Sequence, residues 1–167
     1  MYSLIESKTK FIPILRYKNC TRIAFDCVVK ERLPQKDGTF IEMCVWKEHL
    51  FTKPVTFIQI RDFILSAINT DVDEKILSGF MWKDMQVWLS LENQFNYKAA
   101  YDLAVQTEGK NLPVVFKFGS IDSPTYYKFD TLEELTDFYT KAMKFINEQL
   151  TIGWTKKDSI NWDDYKL

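Results

Sequence analysis

The residues able to do chemistry in this chain are few and scattered. His49 is the only histidine; it follows Glu48, and the three cysteines are Cys20, Cys27 and Cys44. A zinc site takes three or four ligands at tight spacing. Cys27, Cys44 and His49 would meet only if a hairpin brought them together, and both cysteines stand in apolar, strand-like contexts that suit a small buried hydrophobe. A Cys44–His49 nucleophile pair lacks an orienting acid and an oxyanion loop. The glycines (Gly38, Gly79, Gly109, Gly119, Gly153) lie too far apart to cradle a phosphate. Asp71-Val72-Asp73 begins like a calcium loop, but Ile76 stands where that turn needs glycine. Glu133-Glu134 and Asp163-Asp164 are adjacent pairs, and neighbours point opposite ways on a strand and about 100° apart on a helix. Helix-start charge and a solvated tail account for them better than an acid/base dyad. Asn19-Cys20-Thr21 fits the glycosylation rule, but nothing indicates secretion. No catalytic, cofactor-binding or metal-ligating residue is assigned, and the chain is expected not to be an enzyme.

The elements that position these residues follow from periodicity and caps. Residues 1–20 hold no sustained period and include Pro13, which reads as an arm or an edge strand. From Thr21 the pattern has period two: Ile23, Phe25, Cys27 and Val29 share one face. After a polar turn with Asp37-Gly38, Ile41, Met43 and Val45 alternate with Glu42, so residues 21–47 read as a β-hairpin. Thr56 and Gln59 form a capping box behind Pro54 and open a helix carrying Phe57, Ile60, Ile64, Ala67 and Ile68. Asn69 is expected to close that helix, and Asp71, Asp73 and Glu74 to begin a loop.

The remainder reads as two strand–strand–helix units. Residues 76–82 and 85–89 are strands across the two-residue turn Lys83-Asp84, and Ser90 caps a helix to about Thr107. Residues 113–118 and 125–129 are strands across a loop with Gly119 and Pro124, and Thr131 with Glu134 caps the last helix. At an offset of 41 residues Ser90-Leu91-Glu92 matches Thr131-Leu132-Glu133; duplication and independent use of the same grammar both explain it. The last helix bears a broad apolar stripe from Leu132 to Leu150, and Gly153 is expected to end or kink it. The fold class is α+β: antiparallel hairpins packed with three helices. Residues 1–53 form an N-terminal arm and hairpin that serve as an attachment region, and 54–167 an α-ββα-ββα module with an aromatic tail.

Composition adds two asymmetries. There are 13 Phe, 8 Tyr and 5 Trp, and each large ring buries about 150–250 Å². They belong either to a ring-rich core or in part to a partner surface, where Tyr and Trp are enriched. Net charge is −1, yet residues 1–36 carry +5 and residues 37–167 carry −6. The cations near the N-terminus (Lys8, Lys10, Arg16, Lys18, Arg22) are separated by Ile12, Ile14 and Leu15, so contact with an acidic face of a neighbouring copy explains them as well as nucleic acid does. Nucleic acid is not the expected partner. Three cysteines without CxxC spacing favour a reducing compartment. No stretch reaches the ~18–20 apolar residues of a membrane span, and the N-terminus lacks a signal peptide's apolar core.

The stretches ILSGFMW (76–82), VWLSLENQFNYKAAYDLAVQ (87–106), LPVVFKFG (112–119), FDTLEELTDFYTKA (129–142) and GWTKKDSINW (153–162) carry a family resemblance. Over about residues 54–165 the chain resembles small accessory and structural proteins of tailed phages and prophages of gut Bacteroidetes-type bacteria. That family carries no assigned enzymatic residues, so the resemblance implies no catalytic position. It implies a virion subunit made in the host cytoplasm, which assembles with capsid, neck, tail or fibre proteins and with copies of itself. The alternative is an intracellular phage protein that binds and inhibits or redirects a host enzyme. Phe11, Tyr17, Trp154, Trp162 and Tyr165 are the candidate contact anchors, because rings carry much interface energy. The tail's rings could equally dock on the chain's own sheet.

Overall fold

The computed structural model describes residues 1–36, 38–120 and 122–166. The chain forms two compact units, residues 1–68 with 156–167, and residues 69–155. The boundaries therefore lie at 68/69 and 155/156 rather than at the 53/54 division of arm from module. The physical reason is that the first unit's sheet needs a cover, and the opening turns of a helix and the C-terminal tail supply it.

The first unit is built on a four-stranded antiparallel sheet in the order β1-β4-β3-β2. Its strands are β1 (Ser3–Ser7), β2 (Ile14–Arg16), β3 (Thr21–Pro34) and β4 (Phe40–Phe51). The arm thus supplies both edge strands. β3 and β4 form the expected hairpin, running longer than the period-two pattern indicated. Gly38 in its turn has φ +82°, and Asp37 lies outside the described residues.

Helix α1 (Phe57–Ser78) starts at the expected capping box. The Thr56 amide donates to Gln59 Oε1 at 2.9 Å, and the Gln59 amide donates to Thr56 Oγ1 at 3.3 Å. Ile60, Ile64, Ala67 and Ile68 recur on one face and bury against Ile23 and Phe25. Each fully buried isoleucine contributes about 1.5–3 kcal/mol. Tyr165, in a short 3-10 turn (Trp162–Tyr165), completes this core, and its hydroxyl donates to the Ala24 carbonyl at 2.7 Å. On the opposite face of the sheet Ala24, Cys44 and Trp46 form a second cluster with Ile5 and Phe11.

Helix α1 does not close at Asn69. Val72 and Ile76 continue the apolar spacing of Ile68, while Asp73 and Glu74 lie in solvent, so charges that resembled a loop belong to the helix's wet side. Ile76, Leu77 and Ser78 are accordingly its last turn and not the start of a strand. Gly79 ends it at φ +72°, where an added Cβ would sit 1.7 Å from the Val87 carbonyl oxygen. That position requires glycine on both counts.

The second unit holds two antiparallel hairpins, β5 (Phe80–Trp82) with β6 (Met85–Val87), and β7 (Val114–Gly119) with β8 (Pro124–Phe129). Each is followed by a helix, α2 (Leu91–Gln106) or α3 (Leu132–Asp158), giving the expected repeated order. Lys83 and Asp84 both have positive φ, as a two-residue hairpin turn demands. Ser90 caps α2, its hydroxyl accepting from the Asn93 amide at 3.2 Å. The rings resolve into a core: Phe138 lies 5.0–5.3 Å from the centroids of Tyr97, Trp82, Phe118 and Phe129. Gly153 neither ends nor kinks α3. A Cβ there would meet Val72 Cγ2 at 2.6 Å, so the glycine serves close helix packing within this unit.

A candidate assembly surface

The surface begins with a break in β3. Asp26 adopts φ +56°, and the pairing with β4 shifts between Phe25 and Val28. This β-bulge ends the regular alternation. Before it, Ile23 and Phe25 are buried; after it, Cys27 is exposed. The expectation that Cys27 is a buried hydrophobe fails for that reason, whereas Cys44 is buried as expected.

Asp26 is fixed in place by two amines. It accepts from Lys156 Nζ at 2.8 Å and Lys47 Nζ at 3.0 Å. Burial pushes its carboxyl upward, but the hydrogen bonds from Lys156 and Lys47 outweigh this and hold it below the ordinary carboxylate value.

Past Ile23 β3 has no outer neighbour, and beyond Val29 and its partner Cys44 only two strands remain. β2 covers β3 only at Thr21–Ile23, and β1 covers β4 only from Cys44 to Glu48. The distal ribbon, residues 28–34 and 40–43, displays apolar side chains to solvent: Val28 is 57% exposed and Phe40 64%, with Val29 and Ile41 also exposed. A bare two-stranded ribbon is marginal in water, and exposed apolar patches mark interaction sites. The signal was present in the sequence. Val28-Val29 and Phe40-Ile41 are adjacent apolar pairs, and neighbours on a strand must occupy opposite faces.

The ribbon, Ile41 included, forms one wall of a depression of about 760 Å³. Val29, Arg32, Phe40, Glu42 and Cys44 line it with Phe11 and the arm residues Lys8, Thr9 and Lys10. Arg32 Nε donates to Glu42 at 3.1 Å, while Lys8 and Lys10 form no ion pair among the described residues. The Cys27 thiol also lines this depression; burial first, then the neighbouring Cys44, Glu42 and Asp26, push it up to about 11. It is therefore a neutral thiol at physiological pH and not an activated nucleophile.

Of the five proposed anchors, Trp162 and Tyr165 pack with ring centroids 6.1 Å apart, and Phe11 and Tyr165 line one cleft. Phe11 lines the depression and packs edge-on against Trp46 at 5.9 Å. Tyr17 is 56% exposed in the β2–β3 turn, and Trp154 is 57% exposed on α3 in the other unit. Trp162 is half-buried against Phe57 at 6.2 Å. Tyr165 is only 5% exposed and belongs to the first unit's core, so it is unavailable as a contact anchor. Its tail turned inward because a phenol can bury its ring and still satisfy its hydroxyl on a carbonyl.

Groups with chemical potential elsewhere are occupied structurally. The His49 ring stacks on Phe63 at 4.1 Å, and its Nδ1 lies 2.7 Å from the Met1 carbonyl oxygen. Glu48 pairs with Arg22. In the second unit Lys83 Nζ and Tyr127 Oη both donate to Glu134, and Lys83 also reaches Tyr127 Oη at 2.8 Å. Glu134 is held below its ordinary value by Lys83 and Tyr127. This network ties the β5–β6 turn to β8 and α3. It also explains why the second capping box is half made: the Glu134 amide donates to Thr131 Oγ1 at 3.3 Å while its carboxylate is engaged elsewhere. Among the described residues no group of three or more His, Cys, Asp and Glu could hold a metal ion. No described helix is long and apolar enough to cross a membrane.

The second unit has an apolar groove of its own, about 430 Å³, lined by Ile76, Leu77, Leu91, Ile146 and Leu150 with Asp73 and Gln94. Comparison with protein-family models, curated proteins and solved structures finds no match to this chain.

Proposed function

We propose that the chain is a non-catalytic assembly subunit that joins other proteins of a tailed phage particle through the β3–β4 ribbon. The observation that carries this reading is the ribbon itself. Phe40 and Ile41 stand exposed on opposite faces beyond the end of β1, and Val28 and Val29 stand exposed on β3 beyond the end of β2. Resemblance over residues 54–165 supplies the phage context, and the occupied state of His49, Glu48 and the Lys83–Tyr127–Glu134 network favours binding over catalysis. The mechanism is burial: about 25 cal/mol per Å² of apolar surface removed from water drives association, opposed by the loss of rotational and translational freedom. Partners are other virion proteins and further copies of the chain.

Quantitative mass spectrometry of purified particles tests this, comparing wild type with Phe40→Asp against the major capsid protein. A fixed wild-type ratio, with the folded variant lost from particles, is the expected result. Absence of the wild type from particles, with abundance in infected-cell lysate, overturns the virion assignment in favour of a protein that binds a host enzyme.

A further inference from the structure

The open edge of β4 next to the depression has a backbone register that can be worked out. The Gln35 amide donates to the Thr39 carbonyl at 2.8 Å. Pro34, which has no N–H, stands opposite Phe40. In an antiparallel pair, opposed residues alternate between hydrogen-bonded and non-hydrogen-bonded. The rungs to β3 therefore fall at Leu33/Ile41 and Glu31/Met43. The N–H and C=O groups of Phe40 and Glu42 point the other way, toward the edge that β1 occupies further along. β1 ends where Ser7 pairs with Cys44, and the chain leaves the edge at Lys8. Two residues of β4 thus present four backbone groups in line with an existing strand, a site for strand addition.

The side chains around this edge specify what would fill it. Phe40, Glu42 and Cys44 share one face of β4 and line the depression with Val29 and Arg32 of β3, and Ile41 reaches its border. The floor is apolar, from Phe11, Val29 and Phe40. The rim is cationic: Lys8 and Lys10 have no ion pair among the described residues, and Glu42, the one acid among the described lining residues, is already engaged by Arg32.

We infer that this edge accepts an extended, acidic segment of a partner protein, which adds as a strand in line with β1. Its backbone pairs with Phe40 and Glu42, alternate apolar side chains rest on Phe11 and Val29, and its carboxylates meet Lys8 and Lys10. The inference deepens the assembly reading and rests on it. A second copy adding through the same edge would bring Lys8 and Lys10 against their own equivalents, and like charges oppose that arrangement. Nucleic acid would satisfy the lysines but leave the edge amides and the apolar floor unmatched.

The test uses the full chain, isotopically labelled, with a peptide of about eight alternating glutamate and valine residues, the length of an ordinary strand. Amide exchange is read residue by residue. Slowed exchange at Phe40 and Glu42, absent with the matching lysine–valine peptide, is the expected result. Lys8→Glu with Lys10→Glu should weaken peptide binding about tenfold or more, since two attractive pairs become repulsive. Glu42→Pro removes an outward N–H while leaving the rungs to β3 intact, and should abolish the protection. Equal binding of the lysine peptide, protection of these amides by oligothymidylate instead, or concentration-dependent protection without any peptide would each overturn the inference. Should the glutamate peptide fail to protect these amides while Phe40→Asp is still lost from particles, the acidic strand falls and the ribbon's assembly role stands.

Discussion

The hairpins β3–β4 and β7–β8 are both antiparallel and both rich in large apolar residues, yet they use them in opposite ways. β7–β8 buries Phe118 and Phe129 completely, and Phe116 in large part, beneath Tyr97 of α2 and Phe138 of α3. The distal β3–β4 ribbon leaves Val28, Val29, Phe40 and Ile41 exposed. Composition does not separate the two cases. The bulge at Asp26 and the short reach of β1 and β2 carry β3–β4 past its own cover. Apolar residues stabilise a fold only where a second layer meets them; where none does, they are available to another molecule.

The contrast is sharpest in mutational cost. Phe138→Ala should destabilise the chain by about 3–5 kcal/mol, the usual range for deleting a core ring, seen as a lower midpoint in urea unfolding. Gly153→Ala should cost less, about 1–3 kcal/mol, because the new methyl overlaps Val72; pairing it with Val72→Ala should restore part of the loss. A change smaller than 0.5 kcal/mol at Gly153 would mean that the helices separate freely there.

Asp26 connects the comparison to pH. Its folded carboxyl lies below the ordinary value, so its stabilising contribution is complete above the unfolded aspartate's value of about 3.9 and is lost as pH falls through the lower folded value. Asp26→Asn should therefore be less stable than wild type near neutrality, with the gap closing on acidification. A gap independent of pH would show that the ion pairs with Lys47 and Lys156 do not hold the bulge. The smallest stability effect belongs to the ribbon: Phe40→Ser should move the unfolding midpoint by no more than about 0.5 kcal/mol, as surface changes do.

Local signals in the sequence were legible where they were chemically specific. The capping box at Thr56/Gln59, the Ser90 cap, the Lys83-Asp84 turn and the α+β class all correspond to observed features. Positions that depended on long-range packing were not legible. Asp71, Asp73 and Glu74 resembled a loop because nothing local reveals that Val72 and Ile76 find a core. Gly153 resembled a stop because its role depends on Val72, far away in sequence. Cys27 was placed on the buried face because a bulge at an aspartate leaves no trace in a period-two pattern. Tyr165 and Phe11 are alike as rings on terminal segments, and only the fold separates the one that is core from the one that lines the depression.

The most direct test of the ribbon as the assembly surface is hydrogen–deuterium exchange, comparing the free chain with the chain in its purified assembly. The account predicts that amides in residues 28–34 and 40–43 exchange readily when free and become protected on assembly, while β7–β8 is slow in both states. Unchanged exchange across the ribbon, with new protection around Leu91 and Leu150, would contradict it and transfer the role to the second unit's groove.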